Sequence, residues 1–289
     1  MQLYTPAEID QLQQNISYLT QTLDWARNFL TKPHPELGRA GLVCPFVPRS
    51  LKLNSIQFKV IRTQNLKQQQ IEEIVSSYRD IFLNLEPREG EAALNKAILL
   101  IFPDLIEDNC KLVDKIQQKL KPVFVEAGLM LGEFHKYNDS PGLHNQNFRP
   151  LRSPIPILAI RFMVEADLPF LQRLDDEPHL RVRYLEAYLQ RMGKVFKDET
   201  RLKNAREALA LAQTQLEQRA ICAGSNPSIT DRTIVDDTEI SFLLESFVPA
   251  KRCPLSRIGL MGVCAASYSI VNNTRKYVLK KVKAIFAGK

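Results

Sequence analysis

Two apolar runs held apart by a long polar loop constrain this chain more than any other feature. The stretch Gly128 to Val164 reads GLMLGEFHKYNDSPGLHNQNFRPLRSPIPILAIRFMV. Gly128 to Phe134 and Ile155 to Val164 are short, apolar and bounded by Gly or Pro, which predicts two strands with at least one buried face. Between them lie about 20 residues with no periodicity, and a connection of that length inside a compact domain usually carries function or is disordered. Phe148, Leu143, Leu151 and Tyr137 give it apolar anchors, which favours order. A packed loop bearing His135, His144, Arg149 and Arg152 suits the lip of a ligand site. The same polar groups could instead satisfy the loop's own backbone.

The flanking pattern predicts an α+β domain. Ser55 to Arg62 alternates apolar and polar residues with period two, as a half-covered strand does. Lys67 to Leu85 repeats apolar residues at helical spacing and ends at Glu86-Pro87. Lys96 to Phe102 reads as a second strand, and Cys110 to Ala127 as a helix that Pro122 bends or ends. After the long loop and its closing strand, Pro178 to Met192 reads as a helix. This order predicts a mixed or antiparallel sheet covered by helices mainly on one face, of which a ferredoxin-like arrangement is the simplest instance. Right-handed crossovers would place the two intervening helices on one face if the linked strands are parallel.

Ahead of this domain, Thr5 to Leu30 opens with a capping signal, Thr5, Pro6 and Glu8, and keeps apolar residues at Ile9, Leu12, Ile16, Leu19, Leu23, Ala26 and Leu30. An amphipathic helix follows from that spacing, with Trp25 beside its stripe as a core or rim anchor. From Leu42 to Pro48 two prolines exclude a helix and a central strand, so an extended segment is expected. Cys44 within it is a soft metal ligand, a reactive thiol or a small buried hydrophobe.

Charge divides the chain. Residues 201–289 hold 14 Lys+Arg against 7 Asp+Glu, which leaves 25 against 25 for residues 1–200. A ligand-binding domain over 1–200 and a basic, mainly helical extension over 201–289 follow. Thr200 to Ala220 should form a long helix. Residues 275–289 pair an apolar stripe with six cations, which suits an anionic membrane surface or an acidic protein partner. Nucleic acid is disfavoured, because the basic stretch lacks interleaved aromatics at stacking spacing. Nothing approaches a membrane-spanning apolar run or a secretory signal, so a cytoplasmic protein, peripheral at a membrane through its tail, is expected. Five cysteines without CxxC spacing support neither a disulfide framework nor a structural zinc. GxGxxG, GxxxxGK[ST], GxSxG and HExxH are absent, which removes the enabling geometry of dinucleotide, phosphate-loop, serine-hydrolase and zincin chemistry.

Cys44-Pro45-Phe46, the LGEFH segment ending at His135, FRPLRSPIPILAIR from Phe148 to Arg161 and DLPFL from Asp167 to Leu171 together resemble the DUF6875 domain family over roughly residues 38–195. More distantly, the proline-flanked Cys44, the turn at Gly132 to His135 and the arginines at 149 and 152 are similar to the YqcI/YcgG family, with Lys136 where that family carries proline. Some members of that family are heme-dependent N-oxygenases. The resemblance implies a small-molecule oxidoreductase using heme, with His135 as iron ligand, Arg149 and Arg152 clamping the propionates and Cys44 beside the cofactor. The alternative is a non-catalytic binding or adaptor protein acting through its basic tail.

Overall fold

A computed structural model describes residues 6–193 and 199–224. The chain divides into two compact units, Met1–Asn226 and Pro227–Lys289, and the second lies outside the described residues, as do Thr5 and the basic stretch 275–289. The helices in chain order are α1 (Pro6–Trp25), α2 (Val47–Lys52), α3 (Gln68–Asn84), α4 (Gly90–Ala93), α5 (Leu112–Glu126), α6 (Leu168–Leu171), α7 (Pro178–Met192) and α8 (Glu199–Gly224). The strands are β1 (Ile56–Val60), β2 (Ala97–Ile101), β3 (Leu129–Phe134) and β4 (Ile157–Phe162).

The fold is α+β, built on one open mixed sheet of order β1-β2-β4-β3. β1 and β2 are parallel, and β4 runs antiparallel to both β2 and β3. A ferredoxin-like succession would place the second crossover helix after the third strand. Here α3 follows β1 and α5 follows β2, and the loop 135–154 alone returns β3 to β4. The long loop therefore takes the role that a hairpin turn would otherwise play, and its length lets it pack over the end of the sheet.

Period two sorts the strand residues onto two faces. One face gathers Ile98, Leu100, Leu158, Ile160, Leu129 and Leu131 against Ile71, Val75 and Phe82 of α3 and Val113, Ile116 and Phe124 of α5, all buried. Full burial of each such side chain is worth about 1.5–3 kcal/mol, so this layer is the main stabilising core. The opposite face carries Leu99, Ile101 and Ile157 under Tyr18, Leu19 and Trp25 of α1. Both faces are covered, where the pattern predicted cover mainly on one.

The helix boundaries show where local rules yield to packing. α1 ends at Trp25, and Ala26–Leu30 continues as a wider π-turn. Leu12 and Ile16, expected on the buried stripe, are exposed. A 20-residue helix is about 30 Å long, whereas a five-residue strand reaches about 17 Å, so the early turns of α1 overshoot the sheet. The expected extended segment at Leu42 to Pro48 gives way to α2 from Val47, with Pro48 in the first turn, where a missing N–H is no loss. Pro122 lies inside α5, which runs on to Glu126. The buried Lys96 closes the other end of α3, its Nζ donating to the carbonyls of Phe82 at 2.9 Å and Leu85 at 2.5 Å, with the Phe82 and Phe162 rings against it. Burial lowers its pKa.

α7 and α8 pack together through Tyr184, Leu185, Tyr188, Ala205 and Ala212, forming a second cluster with Leu168 and Leu171 of α6. The first turns of the helix expected to begin the C-terminal extension thus pack within the first unit. Arg161 on β4 grips Asp167 with two bonds of 2.7 and 2.6 Å, and Asp167 also accepts the Val164 N–H at 2.8 Å. That fork holds the turn from β4 into α6.

Candidate functional site

The loop 135–154 builds a different environment at each of its ends. His135 immediately follows β3, and its backbone N–H donates to Leu151 O at 3.3 Å, tying the first residue of the loop to its return. The side chain points into the protein and is 1% exposed. Its Nε2 lies 3.0 Å from both Oδ1 and Oδ2 of Asp114, and its Nδ1 lies 3.3 Å from Cys110 Sγ. The backbone N–H of Tyr137 also points at Nδ1, at 3.2 Å. A ring nitrogen that receives an N–H is unprotonated, so the proton sits on Nε2 and is donated to Asp114.

Cys110 closes the 3₁₀ turn Glu107–Lys111, which runs directly into α5. Cys110 and Asp114 are four residues apart, which puts both on one helical face. β3 packs against α5 and delivers His135 between them. Glu133, one strand step before His135, has a carboxyl pushed up to about 6, chiefly by burial, with its own backbone N–H opposing and the charge of Asp114 adding to the rise.

The far end of the loop is open. α1, its π-turn and the reversal that follows bring Trp25, Phe29 and His34 against Phe148. Trp25 and Phe29 stack with ring centroids 6.3 Å apart, and His34 stacks on Phe148 at 4.6 Å. The Trp25 indole donates to Arg152 O at 3.1 Å, and Asn145 Nδ2 donates to Glu36 O at 2.8 Å. Gly38 seals this junction at φ 75°, where a Cβ would stand 2.6 Å from His144 O. Only glycine combines that backbone with that approach.

These rings floor a groove of about 540 Å3, rimmed by Lys136, Arg149 and Arg152, with Glu36 as its one acid. The groove is shallow and open to solvent, with a mainly apolar lining and a few polar groups. Arg149 spends Nη1 on the carbonyls of Gln146 and Phe148, and no carboxylate among the described residues pairs with it. Lys136 lies over the Tyr137 ring and likewise has no carboxylate partner among the described residues. Arg152 differs, because Nη2 meets Asp139 at 2.9 Å and Nε donates to Asn138 O.

The four residues singled out from the sequence therefore separate. Arg149 and Arg152 both line the groove. His135 is buried among partners of its own. Cys44 is half-buried, donates its N–H to Leu30 O at 2.9 Å, and belongs neither to the groove lining nor to the partners of His135. A heme iron at His135 needs a free imidazole nitrogen. Both nitrogens are engaged and the ring is enclosed, so the residues present do not fit heme ligation there. Among the described residues no three His, Cys, Asp or Glu side chains converge as a metal site.

Residues the sequence did not mark are Cys110, Asp114, Phe29 and His34. Cys110-x3-Asp114 at a helix start is a readable same-face pair, but its histidine lies on another element. His34 and Phe29 gave no signal, since only the chain reversal brings them to Phe148.

The molecule is thus an α+β domain with a cation-rimmed aromatic groove and a buried thiol–imidazole pair backed by the carboxylate of Asp114. The family model of a domain of unknown function, DUF6875, matches residues 19–203, and the chain belongs to that family. That span contains the sheet, the loop and the groove. Nothing among the curated proteins and nothing among the solved structures matches the chain. No helix among the described residues is long and apolar enough to cross a membrane.

Proposed function

We propose that the protein binds a small, flat aromatic anion in the groove between the end of α1 and the loop 135–154. The observation that carries this reading is the pairing of a four-ring aromatic floor with Arg149 and Lys136, two cations that no carboxylate of the described residues neutralises. Aromatic faces accept a flat ring by stacking, worth about 0.5–1.5 kcal/mol per pair beyond the area buried. A guanidinium with unspent N–H donors favours a carboxylate, sulfonate or phosphate through charge-assisted bonds. The two demands together exclude aliphatic acids, which lack the ring, and neutral aromatics, which leave the cations unanswered. Binding is favoured over heme-dependent oxidation because the histidine that oxidation requires is enclosed, whereas the groove is open.

Trp25 is the single tryptophan of the chain, so its emission reports on the groove alone. Titration with naphthalene carboxylates and nucleoside monophosphates should give saturable changes in that emission. Neutral naphthalene derivatives should give none, and Arg149→Ala should weaken the carboxylate response about tenfold, the loss of one charge-assisted contact. Equal responses to charged and neutral rings, or to the native and Arg149→Ala proteins, would refute the reading.

A further inference from the structure

The cluster at the buried end of the loop has the parts of an activated nucleophile. We propose that Cys110 accepts an acyl group from a small ester or thioester, with His135 as its base and Asp114 as the positioning residue. Three observations converge. Cys110 Sγ is 3.3 Å from His135 Nδ1, the nitrogen that the Tyr137 N–H marks as unprotonated. Nε2 on the other side of the ring faces both oxygens of Asp114 at 3.0 Å, which fixes the tautomer and answers the positive charge that forms when the ring takes a second proton. Cys110 also lies in the 3₁₀ turn that runs directly into α5, which holds its thiol four residues, about one turn, from Asp114 on the same helical face.

A hydrogen-bonded core histidine would explain one partner. It does not require a thiol on one nitrogen and a carboxylate on the other. The side chain of Asp114 is 43% exposed, so the relay is continuous with solvent although the ring is not. Cys110 itself is 3% exposed and lies in the 3₁₀ turn Glu107–Lys111, which Ile106 precedes. Ile106 there is 63% exposed, and Glu107 holds φ 49°, a left-handed conformation that disfavours a side chain. Strain of that kind marks this turn as the segment that would shift to admit an acyl donor.

The step balances without oxidant or metal. The thiol proton passes to Nδ1, sulfur attacks the carbonyl carbon, and a C–S bond forms. The bond from that carbon to the leaving oxygen or sulfur then breaks, and the leaving group takes the proton from Nδ1. Water or another acceptor later releases the acyl group and restores the thiol.

The probe is p-nitrophenyl acetate added to the full chain. The expected result is a burst of about one equivalent of nitrophenolate, with one acetyl group mapped by mass to Cys110 among the five cysteines. Cys110→Ala should remove the burst, and His135→Gln should slow it by about hundredfold, the usual contribution of a general base. Asp114→Asn should move the pH midpoint of the burst rate downward, because the imidazolium loses the carboxylate that answers its charge, a change that a merely structural carboxylate would not produce. Circular dichroism checks each fold, and if Cys110→Ala or His135→Gln loosens it, iodoacetamide labelling of the native chain across pH replaces that variant. Cys110 should then label ahead of Cys44. Absence of acetyl on Cys110, a burst that survives Cys110→Ala, an unmoved midpoint in Asp114→Asn, or Cys110 inert while Cys44 labels would each overturn the proposal.

Discussion

The two ends of the loop 135–154 use the same composition to opposite effect. At the His135 end, every polar group of the ring is spent inside the protein: Nε2 on Asp114, Nδ1 on Cys110 and the Tyr137 N–H. At the Phe148 end Trp25, Phe29 and His34 are partly uncovered while Phe148 itself is buried, and Arg149 uses one nitrogen on the loop itself. Recognition of an outside molecule needs area and unspent donors, whereas a rigid chemical relay needs the reverse. One connection supplies both because the backbone bond from His135 to Leu151 pins its two ends together.

The comparison is most sharply tested by removing one side chain at each end. His135→Ala should lower the free energy of unfolding by about 2–4 kcal/mol, since it leaves a cavity and unpairs Asp114 and Cys110. Guanidinium titration followed by circular dichroism measures it, and a loss below about 1 kcal/mol would show that the buried end is not fixed. Arg149→Ala should leave the unfolding curve unchanged while ligand affinity falls about tenfold, or about 1.4 kcal/mol, and Arg149→Lys should recover only part of it. A stability loss at Arg149 as large as at His135 would erase the distinction.

A smaller effect separates the ends by pH. The Glu133 carboxyl sits at about 6 in the folded protein, above its value of 4.5 in an unfolded chain, so the folded state favours the protonated form. Its ionisation therefore penalises folding above pH 6, and the penalty disappears as pH falls from 6 toward 4.5. Glu133→Gln should stabilise the protein by about 1 kcal/mol at pH 7.5 and by almost nothing near pH 4.5. Unfolding curves at those two pH values decide it, and a gain that grows as pH falls would reverse the sign. The smallest effect belongs to Arg152→Ala. Its exposed pair with Asp139 is worth about 0–1 kcal/mol, and ligand affinity should change less than for Arg149→Ala.

How much of this was legible follows from which rules act locally. The apolar runs fixed four strands and the major helices, and α7 matches its expected limits, Pro178 to Met192, because proline opens it and Gly193 follows it. Pro48 and Pro122 misled in one direction. Each is tolerated inside a helix by its setting, the first as an opening residue and the second within a helix held by the buried Ile116, Leu120 and Phe124. Strand order could not be read, since it depends on which partners β4 finds once the loop folds back.

The candidate site divides the same way. The loop announced itself by length and composition, and Arg149 and Arg152 do line a groove. The surroundings of His135 could not be read, because Cys110 in the 3₁₀ turn before α5 and Asp114 on α5 lie 25 and 21 residues away and meet it only through the packing of β3. A strand-end histidine looks the same in sequence whether it faces a cofactor or a thiol.

The groove is the centre of the account, and the single indole of the chain gives it a direct readout. In a 1H–15N spectrum Trp25 contributes one indole N–H resonance, held in the native protein by Arg152 O. On addition of 2-naphthoate that resonance should shift progressively and saturate, and the Arg149→Ala protein should need about ten times more ligand to reach the same point. An indole resonance that stays fixed while 2-naphthoate, its sulfonate analogue and a nucleoside monophosphate are each added in excess would contradict the claim that this groove takes a flat anion.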